Sequence, residues 1–260
     1  MNNEAIVSFK NVCMYFGGVK AIDDISFDVD EGQVFGIIGP NGAGKTTIFN
    51  VLSGIYKPTS GDIYFHNRRI NNLPPNYITG NGITRTFQNI RLFENQTVLD
   101  NLKIAHYSHI RYGIMDVIFT SNRFKKEEER IEEESLAILD FMNLTAYAEQ
   151  KAGALPYGAQ RRIEIARALS CKPEVLLLDE PAAGMNPVEI DELNQLILKI
   201  RNQFNLTVLV VEHQMRLVME ICNEILVTNF GRKLAIGKPN DIKNNPEVLE
   251  AYLGKVKSNE

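Results

Sequence analysis

A glycine-rich segment, G-P-N-G-A-G-K-T at positions 39–46, constrains this chain more than any other feature of its sequence. It matches the pattern G-x-x-x-x-G-K-[ST], in which backbone N–H groups cradle phosphates and a lysine reaches the terminal ones. The apolar run Val34–Ile38 before it indicates a buried strand, and the apolar residues of 47–52 after it have helical spacing. A strand, a glycine loop and a helix in this order predict a phosphate-binding loop in an α/β domain.

The residues of this segment have predicted roles in holding a nucleoside triphosphate. The glycines permit backbone angles closed to other residues, so that successive N–H groups converge on the phosphates. Lys45 supplies a mobile positive charge for the β- and γ-phosphates, and the Thr46 hydroxyl is a ligand for Mg²⁺. The predicted nucleotide-binding residues of the segment are Gly39, Pro40, Asn41, Gly42, Ala43, Gly44, Lys45, Thr46 and Thr47.

Composition and charge argue against several classes of protein. The 260 residues carry a net charge of −4, without the broad basic field that neutralises the phosphates of a nucleic acid. No apolar run approaches the length of a membrane helix, and the first residues lack the basic and apolar regions of a secretory signal. Cys13, Cys171 and Cys222 are widely separated, which indicates neither a zinc site nor a disulfide framework. We therefore expect a cytosolic protein that acts at a membrane only through a partner.

The order of the predicted elements indicates an α/β core interrupted by helices. Segments 5–12 and 22–29 alternate as strands of an N-terminal sheet, and 125–142 reads as a long helix. The buried runs Val175–Asp179 and Thr207–Val211 are typical of parallel strands, with the helix Pro187–Phe204 predicted between them. The predicted domains are a phosphate-binding α/β core with the β subdomain at 1–97 and 159–237, a helical insert at 98–158 and a helical tail at 238–260.

Two carboxylates follow the second of the predicted core strands. The run Val175–Leu178 leads directly into Asp179 and Glu180. In a P-loop enzyme an acid in this place holds Mg²⁺, so Asp179 is the predicted metal ligand. Glu180 follows by one residue and points elsewhere, which suits a general base that orients water. His213 follows the strand Thr207–Val211, at the sheet edge where ligands bind in open α/β folds.

Further motifs, in a fixed order along almost the whole chain, resemble those of ABC-type ATPases. Their common property is that each lies where that family has a functional loop. They are Phe16 within Tyr15-Phe16-Gly17-Gly18, similar to the loop that stacks an aromatic ring on adenine; Arg85-Thr86-Phe87-Gln88, similar to the Q-loop; Leu155–Gln160 with the helix that follows, similar to the signature; and Val210–His213, similar to the switch histidine.

The resemblance implies a fold and a set of roles. The fold would be a P-loop, RecA-like α/β core with an antiparallel N-terminal β subdomain and an inserted helical subdomain. ATP would be the nucleotide, Gln88 would contact the metal ion or the attacking water, and His213 would contact the γ-phosphate. Glu180 would be the base for hydrolysis. The signature residues, which would contact the ATP of a second subunit, are Leu155, Pro156, Tyr157, Gly158, Ala159 and Gln160.

Four segments narrow the resemblance to the ATP-binding subunits of branched-chain amino acid importers. They are Arg85–Asn89, Tyr157-Gly158, Pro181–Pro187 and Asn245–Gly254. The implied partners are permease subunits in the cell membrane, a second ATPase subunit that is identical or different, and, indirectly, an extracytoplasmic substrate-binding protein. The implied location is the cytoplasmic face of that membrane. The helical insert is the expected docking surface for the permease.

Three residues depart from the usual family pattern. Pro156 replaces a serine and Tyr157 a glycine in the signature, and Asn186 replaces an aspartate in the loop after Glu180. Pro156 offers neither a hydroxyl nor an N–H to a γ-phosphate, although it can begin a helix. We therefore predict a signature that stabilises the partner's ATP less than usual, with a neutral variant of the subfamily as the alternative.

Other readings of the sequence stay open at this stage. A soluble ABC-type ATPase of translation or DNA repair usually has two modules or a long coiled coil, and this chain shows neither. An ABC transporter of another amino acid, of urea or amides, or of lipids is opposed only by the subfamily segments. The segment Leu155–Gln160 argues against a P-loop kinase or GTPase, and Lys45, Asp179 and Glu180 argue against a non-catalytic switch.

Overall fold

The structure, a computed structural model, describes residues 5–107, 110 and 112–253. The chain divides into two compact units, one formed by the residues up to Ile78 together with those from Glu174 onward, the other by Thr79–Pro173. The first unit holds the phosphate loop, the acid pair and His213. The second holds Gln88 and segment 155–160, and it includes the whole of the predicted helical insert.

The described residues form strands and helices that agree with the predicted α/β class. The strands are β1 (Ala5–Phe16), β2 (Val19–Asp30), β3 (Val34–Ile38), β4 (Ser60–Phe65), β5 (Arg68–Arg69), β6 (Ile83–Arg85), β7 (Val175–Asp179), β8 (Thr207–Val211), β9 (Glu224–Asn229) and β10 (Arg232–Gly237). The helices are α1 (Lys45–Leu52), α2 (Pro75–Gly80), α3 (Val98–His106), α4 (Ile114–Ile118), α5 (Asn122–Phe141), α6 (Tyr157–Ser170), α7 (Pro187–Phe204), α8 (Met215–Ile221), α9 (Pro239–Lys243) and α10 (Pro246–Leu253).

The N-terminal strands form an antiparallel sheet in the order β2-β1-β4-β5. Its inner face joins the core through aromatic stacking. The ring of Phe27 lies between those of Phe9 and Phe35, at centroid distances of 4.5 Å and 5.3 Å. Because Phe35 belongs to β3, this stack fixes the sheet against the strand that leads into the phosphate loop. The predicted antiparallel β subdomain is confirmed.

The core strands of the first unit lie in the order β10-β9-β3-β8-β7, with β9, β3, β8 and β7 parallel and β10 antiparallel to β9. Every residue of β3, β7 and β8 is buried, as continuous apolar runs in parallel sheets predict. Parallel strands end at one edge of a sheet, so the phosphate loop, Glu180 and His213 emerge at the same edge.

Helices α3, α5 and α6 pack against one another in the second unit. Two of them begin at polar caps, since the Thr97 hydroxyl accepts from the Asp100 N–H at 3.0 Å and that of Ser121 from the Phe124 N–H at 3.2 Å. Ile131 and Leu139 of α5 are buried, while most of its acidic residues face solvent. Among the helices that the structure describes, none combines the length and the apolar character needed to cross a bilayer.

Candidate functional site

The loop between β3 and α1 closes so tightly that two of its glycines have no room for a side chain. A Cβ atom at Gly39 would lie 2.2 Å from the Thr228 carbonyl oxygen, and one at Gly44 would lie 2.3 Å from that of Ala21. Gly44 also has a φ of +96° directly before α1. The loop therefore brings its backbone to the positive end of a helix, the arrangement that binds phosphate groups.

Lys45 lies inside this loop. The residue is only 6% exposed, and its ammonium group donates to the carbonyl oxygens of Gly39 at 2.8 Å and of Pro40 at 3.0 Å. Burial lowers the pKa of Lys45, and the negative charges of Glu180 and Asp179 act in the opposite direction. The ammonium group is thus held by the loop and attracted by both acids, in the place where phosphate oxygens would replace the two carbonyl contacts.

The oxygen atoms near the start of α1 suit a magnesium ion. Thr46 is exposed in the first turn of α1, and Asp179 ends the buried strand β7, which contacts that helix. Mg²⁺ typically takes one or two protein oxygens and completes its shell with substrate phosphates and water. Across 5–107, 110 and 112–253 no three His, Cys, Asp or Glu side chains are grouped to hold a metal by themselves. Thr46 and Asp179 fit a metal ion that enters with phosphates.

Glu180 has an unusual backbone conformation. Its φ is +47°, a left-handed conformation that non-glycine residues adopt at some cost. The Glu180 N–H donates to the Val211 carbonyl at 2.9 Å, and its own carbonyl accepts from the Ala183 N–H at 3.2 Å. Its carboxylate lies 3.8 Å from Nδ1 of His213, whose side chain is about half exposed. The acid and the histidine predicted for catalysis are thus neighbours.

Glu212, for which the sequence alone indicates no role, organises this edge of the sheet. Its buried carboxylate accepts N–H groups from Ala182 at 2.8 Å, His213 at 2.8 Å and Gln214 at 3.0 Å. These donors belong to the loops that follow β7 and β8. One side chain therefore fixes the loop after Glu180 to the loop that carries His213. The only signal in the sequence was an acid directly beside a strand-end histidine.

Phe16, predicted to stack on adenine, presents an exposed ring at the end of β1. The residue is 42% exposed, and its ring meets that of Tyr56 edge-on at 5.1 Å. The adjacent Tyr15 instead donates its hydroxyl to Asp23 at 3.0 Å. Of the two aromatic residues, Phe16 has the accessible face that stacking on a base requires.

In the second unit, segment 155–160 forms the start of α6. Leu155 is buried, Pro156 is the N-cap residue, and the helix begins at Tyr157. The Gln160 side chain donates to the Leu155 carbonyl at 2.8 Å, which ties the first turn to the loop before it. A Cβ atom built on Gly158 would meet nothing within 4 Å, so the main chain there is open to an approaching group. An exposed helix start of this kind suits the binding of an anion.

Gln88 lies in the same unit as this helix, in the segment after β6. Buried side chains of α6 hold the main chain of that segment: Arg161 donates to the carbonyl oxygens of Phe87 and Gln88, and Glu164 accepts from the Phe87 N–H. Burial raises the pKa of Glu164, and the Phe87 N–H and Arg161 oppose that shift. The Arg91 guanidinium covers the Phe87 ring at 4.2 Å. Two predicted site elements, the Q-loop and the signature helix, are thus in direct contact.

Comparison with known proteins places these features in a family. A family model described as "ABC transporter" matches residues 22–183, which include the phosphate loop, Gln88, segment 155–160 and the acid pair. The chain belongs to the ABC transporter ATP-binding family. A second model, "Branched-chain amino acid ATP-binding cassette transporter", matches residues 232–257.

This ABC ATPase is similar to known proteins over nearly its whole length. The chain is 45% identical over 249 residues to "High-affinity branched-chain amino acid transport ATP-binding protein BraF" of Pseudomonas aeruginosa strain PAO1, covering 96% of this chain and 98% of that one. It is 41% identical over 252 residues to LivG, of the same description, from Escherichia coli strain K12, covering 97% and 99%. The ADP conformation of MJ1267, an ATP-binding cassette of an ABC transporter, superimposes with a TM-score of 0.84 at 34% identity, over 97% of this chain and 100% of that one.

These matches confirm the predicted family, fold class and ATPase class. The solved cassettes have the P-loop fold, and one of them is described in an ADP conformation, so binding of a nucleotide is a property of the family to which this ABC ATPase belongs. The roles of individual residues stay predictions.

Proposed function

We propose that the chain is the ATP-hydrolysing subunit of an ABC importer for branched-chain amino acids. The observation that carries this proposal is the buried Lys45 in its phosphate loop, with Asp179 and Glu180 at the same edge of the sheet. The similarity to branched-chain amino acid transport ATP-binding proteins and the match of residues 232–257 support the substrate class.

Hydrolysis in this site depends on positioning and charge. The loop N–H groups and Lys45 bind the β- and γ-phosphates, and Phe16 stacks on the adenine ring. Thr46 and Asp179 would hold Mg²⁺, which when bound neutralises charge that develops on the phosphates. Glu180 accepts a proton from the attacking water and orients it toward the γ-phosphorus atom.

His213 and Gln88 complete the proposed chemistry. His213 contacts the γ-phosphate, and its separation of 3.8 Å from the Glu180 carboxylate lets the two side chains act on one reacting centre. Glu212 keeps His213 at this distance through the main chain. By the family resemblance, Gln88 would contact the metal ion or the attacking water.

The proposed assembly contains two ATPase subunits and a pair of permease subunits. A solved relative, MJ0796, a bacterial ABC transporter cassette, is described as dimeric. In the proposed pair, segment 155–160 of each subunit contacts the ATP bound by the other. The helical unit docks on the permease at the cytoplasmic face of the cell membrane, and a substrate-binding protein delivers the amino acid from outside.

Replacing Glu180 tests the catalytic assignment. In Glu180→Gln we expect ATP affinity within about twofold of wild type and a hydrolysis rate lower by about 100-fold or more, because only proton transfer is removed. Binding is measured with a fluorescent ATP analogue, and hydrolysis is measured as phosphate release by the transporter reconstituted in proteoliposomes. Glu31→Gln, in an exposed turn of the same unit, is the matched control. Equal losses of binding and hydrolysis would contradict the assignment.

The substrate class has its own experiment. Proteoliposomes that contain the permease subunits, a second ATPase subunit and the binding protein should take up leucine, isoleucine or valine only when they also contain this subunit and enclosed ATP. Uptake of another solute, with none of these three, would refute the branched-chain assignment and leave the ATPase assignment intact.

A further inference from the structure

Two side chains of α6 form hydrogen bonds with both main-chain polar groups of Phe87, the residue before Gln88. The Phe87 N–H donates to Glu164 at 3.2 Å, and the Phe87 carbonyl accepts from Arg161 at 2.9 Å. Arg161 also donates to the carbonyl oxygen of Gln88 itself. Both side chains are almost fully buried, and their charged groups lie 3.4 Å apart. We call Arg161 and Glu164 the α6 clamp.

Tyr157 connects this clamp to the exposed start of the helix. Its hydroxyl oxygen accepts from Nε of Arg161 at 2.9 Å and from Nη2 at 2.7 Å. Half of the tyrosine surface is exposed, within the segment proposed to meet a second subunit. The guanidinium group is a rigid plane, so one edge that binds the phenol and another that binds the two carbonyls must move together.

We propose that the α6 clamp and Tyr157 are positioning residues that set the main chain of Gln88 according to the state of the signature loop. This inference rests on the proposed function, in which Gln88 takes part in hydrolysis and segment 155–160 contacts the partner's ATP. A push on the phenol by an arriving subunit is passed to Arg161 and from there to the two carbonyls. Glu164 limits the other positions that the Arg161 side chain can take, because a buried charge that loses its partner is strongly unfavourable.

The first test measures the clamp itself, without any catalysis. We follow hydrogen–deuterium exchange of the peptide that contains residues 87–91 in the nucleotide-free chain. In Arg161→Lys, which keeps the charge but loses the planar fork, exchange should be faster by about tenfold or more. In Tyr157→Phe, which keeps the ring and loses the hydroxyl, it should be faster by a smaller factor. Tyr147→Phe, in the turn Thr145–Tyr147 of the same unit, should leave it unchanged.

The second test asks whether the clamp acts through Gln88. In the reconstituted transporter, Arg161→Lys should lower kcat by about tenfold, leave the KM for ATP unchanged, and raise the Mg²⁺ concentration that gives half-maximal activity. Tyr157→Phe should do the same more weakly. In a Gln88→Ala background, Arg161→Lys should have no further effect on kcat, since the group that it positions is gone.

The outcomes separate the two proposals. Unchanged exchange in both Arg161→Lys and Tyr157→Phe, or effects of Arg161→Lys and Gln88→Ala on kcat that multiply, would overturn the positioning role. A general loss of folding in Arg161→Lys would appear as faster exchange throughout the unit, and Tyr157→Phe, which alters a half-exposed residue, would then decide. A wild-type chain that binds no ATP would overturn the proposed function, whereas the exchange experiment would still decide whether Tyr157 controls the main chain at Phe87.

Discussion

Replacement of Glu212 by alanine tests whether one buried carboxylate holds the catalytic edge of the sheet together. The residue is 0% exposed and accepts three main-chain N–H groups, at 2.8 Å, 2.8 Å and 3.0 Å. Each buried donor left without an acceptor costs about 1–3 kcal/mol, and water that enters the space recovers part of that. We expect Glu212→Ala to lower the free energy of unfolding by about 3–5 kcal/mol. Glu212→Gln keeps one acceptor oxygen but turns an amide donor toward the other N–H groups, and should cost about 2 kcal/mol.

The assay is urea unfolding followed by circular dichroism, with the m-value compared among variants so that a change in stability is distinguished from a change in cooperativity. Glu192→Gln, an exposed acid on α7, is the control and should change the free energy of unfolding by less than about 0.5 kcal/mol. A loss below about 1 kcal/mol in Glu212→Ala would refute the reasoning, because the N–H of the buried residue Ala182 cannot lose its acceptor at so small a cost, even if water reaches the N–H groups of His213 and Gln214. A second readout is the hydrolysis rate, which should fall even in Glu212→Gln, since His213 and the loop after Glu180 lose a common anchor.

Three further perturbations have outcomes that the structure fixes in direction. Gly44→Ala places a methyl group 2.3 Å from a carbonyl oxygen at a φ of +96°, so we expect a loss of about 2–4 kcal/mol in urea unfolding and of ATP-analogue binding, whereas Gly18→Ala, with open space around it, should be neutral. Burial raises the pKa of Cys222 to about 12, so the unfolded thiol ionises at a lower pH than the folded one. Stability should therefore fall as the pH rises above about 8.5, and Cys222→Ala should make that slope smaller in unfolding measured from pH 8 to 10. Pro156→Ser adds a hydroxyl at an N-cap that has no side-chain hydrogen bond, so the melting temperature and the ATPase rate of the assembled transporter should both rise, and an unchanged rate would contradict the predicted weakness of this signature.

Local patterns predicted the core strands because burial on both faces leaves a continuous apolar run. The predicted strands Val34–Ile38, Val175–Asp179 and Thr207–Val211 have the same bounds in the structure, and so does the helix Pro187–Phe204. The first strand was predicted to end at residue 12, but β1 continues to Phe16. Its register shifts between Phe9 and Val12, where Asn11 has a positive φ, so the alternation of buried and exposed residues breaks while the pairing resumes.

The parts of the site that sequence could predict are those whose residues lie together in the chain. The phosphate loop needs only its glycines, Lys45 and the flanking elements, all within a short segment. The sequence does not predict the role of Glu212. Two of its three donors are the next two residues of the chain, a pattern that any acidic residue in a loop can have, and the third, Ala182, is 30 residues away. The contacts of Arg161 with the Q-loop join residues separated by 73 and 74 positions. Only the tertiary packing of the second unit brings them together.

Two of the residues that depart from the family pattern, Asn186 and Tyr157, differ in what they do to the local structure. Asn186 still caps α7: its side-chain oxygen accepts from the N–H groups of Val188 and Glu189, and the Glu189 carboxylate accepts from the Asn186 N–H in return. An aspartate would serve equally as a cap, so the exchange removes one negative charge and leaves the helix start intact. Tyr157, by contrast, adds a group that glycine cannot supply, since its hydroxyl holds Arg161. Restoring aspartate at 186 should therefore act only through charge, whereas restoring glycine at 157 should also release the main chain beside Gln88.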